Sequence, residues 1–459
     1  MTLDGLLASR IQFAFTIGYH ILWPTYTIGI SGFIVLLNVL WLATRRPVYR
    51  DLLRFWIRLF ALGFGMGVVT GIVLAYQIGT NWSVFAERTS NVIGPFFTYE
   101  VLMAFFLEAG FIGIMLFGTD RVRPGLHIFA CAMVALGAVV SAFWILSAYS
   151  WMQTPAGFSI GPDGRFELTD LGAAIFNPSF PYRFAHMVTA AYLTGAFVVI
   201  GVCGFYLWRR QHLEFARAGF SVAMWLALIL APLQIELGDQ HGLNTLAYQP
   251  IKVAAMEGDW DTLRGQPLVL FAWPDMAAER NLYALEIPRL GSLILRHDWT
   301  GRVEGLKSVP PDERPYVPLV FWAFRVMVGI GLTMLTIAVA GAVLRWRGRL
   351  YDTGWFSFIC AFASPLGFIA ILAGWTVTEA GRQPYVVYGY LRTADAVAPV
   401  AASAVVTSLV LFVIVYAVLL LAFFLYAGRT VLHGPVPHTP APPLIRPGVG
   451  SAPAQSGAE

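Results

Sequence analysis

The chain has 459 residues, 58% of them hydrophobic and 12% charged, with a formal net charge of +4. Soluble proteins carry about 25% charged residues. Apolar runs of the ~20 residues that cross a bilayer recur along this whole chain. A soluble domain, a globular head on one anchor and a nucleic-acid binder are therefore excluded as classes, and the small positive excess is a matter of membrane topology.

The apolar runs, bounded by charge, Gly and Pro, predict an all-α polytopic membrane bundle of nine helices. The first, 13–43, follows no basic leader and carries His20 about two turns in, so it reads as a span and not as a removable signal. The second is 55–78; the third, 95–118, carries Glu100 and Glu108. On an α-helix their spacing is about 12 Å of rise and 80° of rotation, so both carboxyls can line one path. The fourth is 126–150, with His127 near its end reading as a surface histidine. The fifth, 186–208, opens on His186, and the sixth is 215–237. A loop from about 238 to 318 holds Lys252, Glu257 and Trp260. Its length, with its aromatic and apolar content, predicts a packed, working segment. The seventh helix, 319–344, holds Arg325 and Met327; the eighth, 355–377, runs into a segment with Trp375, Glu379, Arg382 and Gln383; the ninth is 397–427. The chain thus divides into a membrane domain, 1–432, and a tail, 433–459, whose Pro, Ala and Gly content predicts disorder. Cys131, Cys203 and Cys360 lie far apart in apolar runs and read as small core residues.

Orientation follows from the short loops. Arg45, Arg46, Arg50, Arg54, Arg121, Arg123, Arg209, Arg210, Arg217, Arg345, Arg347 and Arg349 fall on one side, twelve against six on the other with the long loop left out. Basic loops stay in the cytoplasm, so the N-terminus and the long loop are expected outside and the C-terminus inside.

Ionisable or coordinating groups at membrane depth are costly, which makes each a functional candidate. His and Met are a known axial pair for a low-spin haem; His186 and Met327 begin helices on either side of the long loop, and Arg325 beside Met327 suits a haem propionate. A lone membrane Met ordinarily packs, and a lone His is as readily an interhelical hydrogen bond. Glu100 and Glu108 read as a proton relay or as protonated interhelical contacts. Glu379 and Arg382 read as a surface ion pair, or as an iron ligand with a propionate partner. The residues alone leave these open.

Ser9-Arg10-Ile11-Gln12-Phe13-Ala14 with His20, Gly79-Thr80-Asn81-Trp82-Ser83 and the stretch from Glu100 to Glu108 resemble subunit I of cytochrome bd-type quinol oxidases. So do Lys252-Val253-Ala254-Ala255-Met256-Glu257, Phe324-Arg325-Val326-Met327 and Gly381-Arg382-Gln383-Pro384, in order, from about Ser9 to Ala427. The resemblance implies two haem b and one haem d in a bacterial cytoplasmic (inner) membrane. His186 and Met327 would ligate the low-spin haem b with Arg325 nearby, and His20 and Glu379 would serve the two high-spin haems, in an order left open. Trp375 would be an aromatic beside that pair, Arg382 and Gln383 would belong to the cofactor signature, and Lys252 and Glu257 would bind and deprotonate quinol. Glu100, Glu108 and Ser141 would form the proton and haem-pair environment. A second polytopic subunit is implied, with room for a small single-span one.

Two departures stand out: the long loop is of the short type, and Tyr385 replaces the Trp that commonly follows Gly-Arg-Gln-Pro. Both resemble the cyanide-insensitive branch, where haem b takes the place of haem d, and they leave the oxygen-binding haem open between the two. The expected reaction oxidises quinol at the outer loop, takes protons for water from the cytoplasm, and separates charge without pumping. Two competing classes are a haem-free polytopic transporter or channel, which leaves His186 and Met327 idle, and a haem-binding quinone sensor that does not turn over.

Overall fold

The computed structural model describes residues 4–435. Helix α1 (Gly5–Thr44) begins where the Asp4 carboxylate accepts from the Leu7 amide at 2.6 Å and stops where Arg45 turns left-handed. Helix α2 (Pro47–Thr80) opens on a proline, whose missing N–H costs nothing in a first turn. Helices α3 (Ser83–Tyr99) and α4 (Phe106–Phe117) are one span, joined by a six-residue π-helical stretch, Glu100–Phe105. Helix α5 (Pro124–Gln153) follows, then the hairpin of β1 (Phe158–Ile160) and β2 (Phe166–Leu168) and the short α6 (Leu171–Ile175). Helices α7 (Phe180–Trp208) and α8 (Leu213–Tyr248) form the most extensive helix pair.

The long loop is folded. It consists of α9 (Pro250–Glu257), β3 (Leu263–Arg264), the hairpin of β4 (Leu268–Asp275) and β5 (Arg280–Ile287), α10 (Leu290–Arg296) and β6 (Arg302–Val303), which pairs with β3. Val253, Ala254, Trp260, Val303 and Leu306 give it a core of its own, continuous with Val317 and Val320 of α11 (Val317–Trp346). Helices α12 (Gly354–Ala361) and α13 (Leu366–Ala380) make one span bent by 43° where Ser364-Pro365 interrupts the ladder. A small pair, β7 (Tyr385–Val387) and β8 (Leu391–Arg392), leads into α14 (Ala402–His433). Counting the bent pair as one, nine helices among the described residues are long and apolar enough to cross a membrane.

The most deeply buried span is α7, with 61% of its apolar window inside the protein, against 6% for α14. Small residues permit this. Helices α1 and α7 cross with so little space that a Cβ on Gly29 would sit 2.8 Å from the Gly195 Cα.

Several predicted boundaries shift for one reason: helices continue past the apolar run. Helix α7 begins at Phe180, which puts His186 nearly two turns inside it rather than at its opening. Helix α8 runs on to Tyr248 through Asp239, Gln240 and His241, which the sequence had placed in the loop. The third span starts at Ser83 rather than at 95, and the last runs on to His433 rather than ending at 427; the start of that last span moves the other way, to Ala402 from 397, where the Ala398 amide is bonded to the Asn81 carbonyl instead. Apolar content marks where lipid begins, whereas the hydrogen-bond ladder stops only at a cap or a breaker. The predicted tail lies, from 436 onward, outside the described residues.

Candidate functional site

His20 lies on α1 with its Nδ1 2.8 Å from the Thr70 hydroxyl of α2. Thr70 spends its own proton on the Met66 carbonyl at 2.8 Å. With its proton on that carbonyl, the hydroxyl is placed to accept from His20 Nδ1, an arrangement that leaves the Nε2 lone pair free. That is the tautomer an iron ligand needs.

His186 and Met327 come from opposite members of a four-helix ring. Pairwise packing runs α7 to α8, α8 to α11, α11 to α13 and α13 back to α7, which sets α7 and α11 across the diagonal. Each ligand candidate lies against a glycine. A Cβ on Gly238 of α8 would meet the His186 ring at 3.3 Å, and one on Gly374 of α13 would stand 2.7 Å from the Met327 sulfur. Facing helices that offer an imidazole and a thioether across glycine-lined walls are a donor set suited to a six-coordinate haem.

On the loop side, a polar chain joins two predicted sites. The Lys252 ammonium donates to Gln153 Oε1 at 2.5 Å, and Gln153 Nε2 approaches Glu379 Oε1 at 3.4 Å. Glu379 is ion-paired with Arg382, which also donates to the Val386 carbonyl at 2.7 Å. Gln383 ties the turn, donating to the Glu379 carbonyl and accepting from Thr393 at 2.8 Å. Trp375 stacks edge-on against Tyr149 at 4.9 Å, and its indole N–H has no partner among the described residues. Burial, then the nearby Arg183 and Arg382, hold the Lys252 amine well below its usual range, with Glu379 opposing. Lys252, Arg183 and Arg382 are all buried, and Glu379 is the carboxylate that offsets them. The Nε atoms of both arginines lack a partner among the described residues. Haem propionates are anionic hydrogen-bond acceptors and would meet this surplus of cation and donor.

Glu257 ends α9 and faces α11, where Arg325 reaches it at 3.6 Å. Arg325 works as a clasp between loop and membrane helix. It donates to the carbonyls of Met256 at 2.6 Å, Glu257 at 3.3 Å and Val269, and lies 3.3 Å over the Phe321 ring. Burial pushes the Glu257 carboxyl up, with Arg325 opposing. Asp259 is buried beside it, accepts from Gln266 at 2.7 Å, and is driven well above the carboxylate range by burial and by Glu257.

Glu100 opens the π-helical stretch, and Glu108 follows it on α4. The π turn changes the rotation expected of a regular helix, yet both still face one stripe of α5. Ser141 donates to Glu100 at 2.7 Å, and a Cβ on Gly137 would lie 2.5 Å from Glu108 Cγ. Gly137 and Ser141 are one turn apart, about 6 Å of rise. His127 is buried, which overturns its reading as a surface residue. The tight turn between α4 and α5 presses it onto the end of α4, where its Nε2 serves the otherwise orphaned Met115 carbonyl at 3.1 Å.

Gln153, Arg183, His241 and Asp259 enter the site without having been singled out in the sequence. Gln153 and Arg183 sit just outside predicted spans, and His241 and Asp259 fell in the predicted loop. For Gln153, Arg183 and His241 the available signal was polar residues continuing a helix beyond its apolar stretch; Asp259, past the Gly258 cap of α9, had none.

Tyr385 has a local reason of its own. Its hydroxyl donates to Glu313 at 3.3 Å, and its ring lies under Arg392, which also pairs with Glu313. A tryptophan there would lose the hydroxyl contact.

Residues 8–435 match the family model described as cytochrome bd terminal oxidase subunit I. Cytochrome bd ubiquinol oxidase subunit 1 of Bacillus subtilis is 36% identical, over 91% of this chain and 91% of that protein. Cytochrome bd-II ubiquinol oxidase subunit 1 of Escherichia coli is 31% identical, over 91% of this chain and 95% of its own. The solved bd oxidase of Geobacillus thermodenitrificans superposes with a TM-score of 0.87 at 32% identity, covering 94% of this chain and 99% of that one. With likeness over nearly its full length in sequence and in fold, this chain belongs to the cytochrome bd terminal oxidase subunit I family.

Proposed function

We propose that this chain is the catalytic subunit of a membrane terminal oxidase that oxidises quinol and reduces dioxygen to water. The bound haems supply the one-electron steps and the iron at which dioxygen is reduced. His186 and Met327 would hold a low-spin haem b, and His20 and Glu379 the two high-spin haems. The oxygen-binding one is haem d, or haem b if the short loop and Tyr385 mark the cyanide-insensitive branch. The observation that carries this reading is the imidazole and thioether offered from diagonal helices, beside a buried surplus of arginine and lysine. A haem-free transporter or channel finds no support in the family likeness.

The residues divide the work by position. Lys252 and Glu257 suit a quinol headgroup, one as donor and the other as a proton acceptor whose burial matches it to a weak acid. Arg325 keeps Glu257 on the membrane helix. Arg382 and Arg183 balance propionates, and Gln383 with Thr393 keeps Arg382 in place. Glu100, Ser141 and Glu108 hold protons along α5 on the way from the arginine-rich side.

The positive-inside bias puts the long loop outside the cell and the C-terminus in the cytoplasm of a bacterial inner membrane. Quinol protons then leave outside while protons for water enter from inside, so charge separates without a pump. Subunit I implies a second subunit. A second polytopic chain, with or without a small single-span one, suits the broad apolar faces of α14 and of the span from α3 to α4. Quinol-driven oxygen uptake by the purified complex tests the assignment. Uptake that ceases in His186→Ala together with the low-spin haem spectrum is expected. A complex that binds haem and quinol without consuming oxygen would instead be a sensor.

A further inference from the structure

We infer that His241 is a positioning residue for His186, holding that imidazole in the tautomer and orientation that present its Nε2 to iron. The inference deepens the proposed ligation of the low-spin haem by His186 and rests on it.

The two rings meet nitrogen to nitrogen. His241 Nδ1 lies 3.3 Å from His186 Nδ1, with the rings nearly perpendicular at 84° and their centroids 5.4 Å apart. Two neutral imidazoles can share such a contact in one of two ways, since each ring carries one N–H. If His241 donates, His186 must carry its proton on Nε2, and no lone pair is left there for a metal. If His186 donates, its proton is on Nδ1 and Nε2 is free. Ligation selects the second arrangement, which makes His241 the acceptor through Nδ1.

The surroundings hold this geometry from both sides. Gly238, one turn before His241 on α8, lets the His186 ring lie against the helix backbone, where a Cβ would come within 3.3 Å of it. The Asn244 amide of the same helix donates to the Pro178 carbonyl at 3.1 Å, pinning the extension of α8 to the segment that leads into α7. The other imidazole of the site is built on the same plan: the Thr70 hydroxyl stands 2.8 Å from His20 Nδ1, placed to accept from it. An acceptor on the far nitrogen fixes ring rotation and raises the basicity of the ligand. Greater basicity favours the ferric over the ferrous state.

The test uses the purified multi-subunit complex, a redox titration of the low-spin haem band and haem quantification. His241→Leu removes the acceptor and is expected to raise the midpoint by roughly tenfold in the ferric-to-ferrous ratio, which is about 59 mV for one electron. His241→Gln retains an accepting oxygen and is expected to shift it less, in the same direction. An unshifted midpoint in the Leu variant, or equal shifts in both, overturns the role. His186→Ala separates the two claims: persistence of the low-spin band there would remove His186 as a ligand and take this inference with it. If the Leu variant does not assemble, His241→Ala, which also removes the acceptor, takes its place: a raised midpoint supports the role and an unshifted one overturns it.

Discussion

The loop side and the span that carries Glu100 and Glu108 are built on opposite terms. On the loop side the chain links its polar groups to one another: Lys252 to Gln153, Gln153 to Glu379, Glu379 to Arg382, with Arg325 clasping α9 to α11. The other span has 11% of its apolar window buried and exposes Val101, Leu102, Met103 and Phe106 beside its carboxyls. A carboxyl within a bilayer is costly unless it faces protein or water. The first region is therefore held in place by this chain's own contacts and leaves a few buried donors, the Nε atoms of Arg183 and Arg382 among them, for a bound group. The second has one face on α5 and is completed by what covers the other.

The contrast can be broken most forcefully at the ligands. Met327→Leu is expected to abolish the low-spin haem band and with it quinol-driven oxygen uptake, and an unchanged spectrum would remove the thioether from the ring. Glu108→Gln should lower turnover by about 10²- to 10⁴-fold, the range of a lost proton-transfer group, with all haems retained. Normal turnover would take Glu108 off the proton path. Gln153→Leu removes a hydrogen bond to a charged group, worth about 1.5–3 kcal/mol, and should raise the KM for quinol by roughly 10- to 100-fold. An unchanged KM would separate Lys252 from Gln153 in function.

A pH profile sharpens the comparison further. Burial raises Glu257 and Arg325 opposes that rise. A proton acceptor must be ionised, so quinol oxidation should increase with pH through the raised Glu257 value. Removing the cation lets that value climb higher. Arg325→Gln should thus move the acid limb to higher pH by about one unit or more, while Arg325→Lys leaves it near its original place. A limb that stays put in the Gln variant would dissociate Glu257 from proton acceptance. The smallest effect is expected at Tyr385→Phe, which loses one hydrogen bond to Glu313, about 0.5–1.5 kcal/mol. Calorimetry should record a Tm lower by a few degrees at most, with haem content unchanged.

The spans were legible because lipid demands long apolar runs, and the family likeness was legible in six short motifs kept in order. The ligand candidates stood out because histidine and glutamate are rare at such depth. Helix ends were less legible, since Asp239, Gln240 and His241 extend α8 as a polar helix that periodic hydrophobicity does not reveal. Partnerships were less legible again. That Gln153 bridges Lys252 and Glu379 depends on residues 99 and 226 positions apart. Arg325 read as a propionate partner from its neighbour Met327, but its guanidinium is engaged by carbonyls of the loop. His127 read as a surface residue because its carbonyl partner lies across a turn.

The most direct test is the reduced-minus-oxidised visible spectrum of the purified complex, taken with haem extraction. Three haems per complex with a low-spin haem b band are expected. A long-wavelength chlorin band alongside assigns haem d to the oxygen site, and haem b alone assigns it to haem b. A complex without haem would contradict the oxidase assignment and leave His20, His186, Met327 and Glu379 as structural residues.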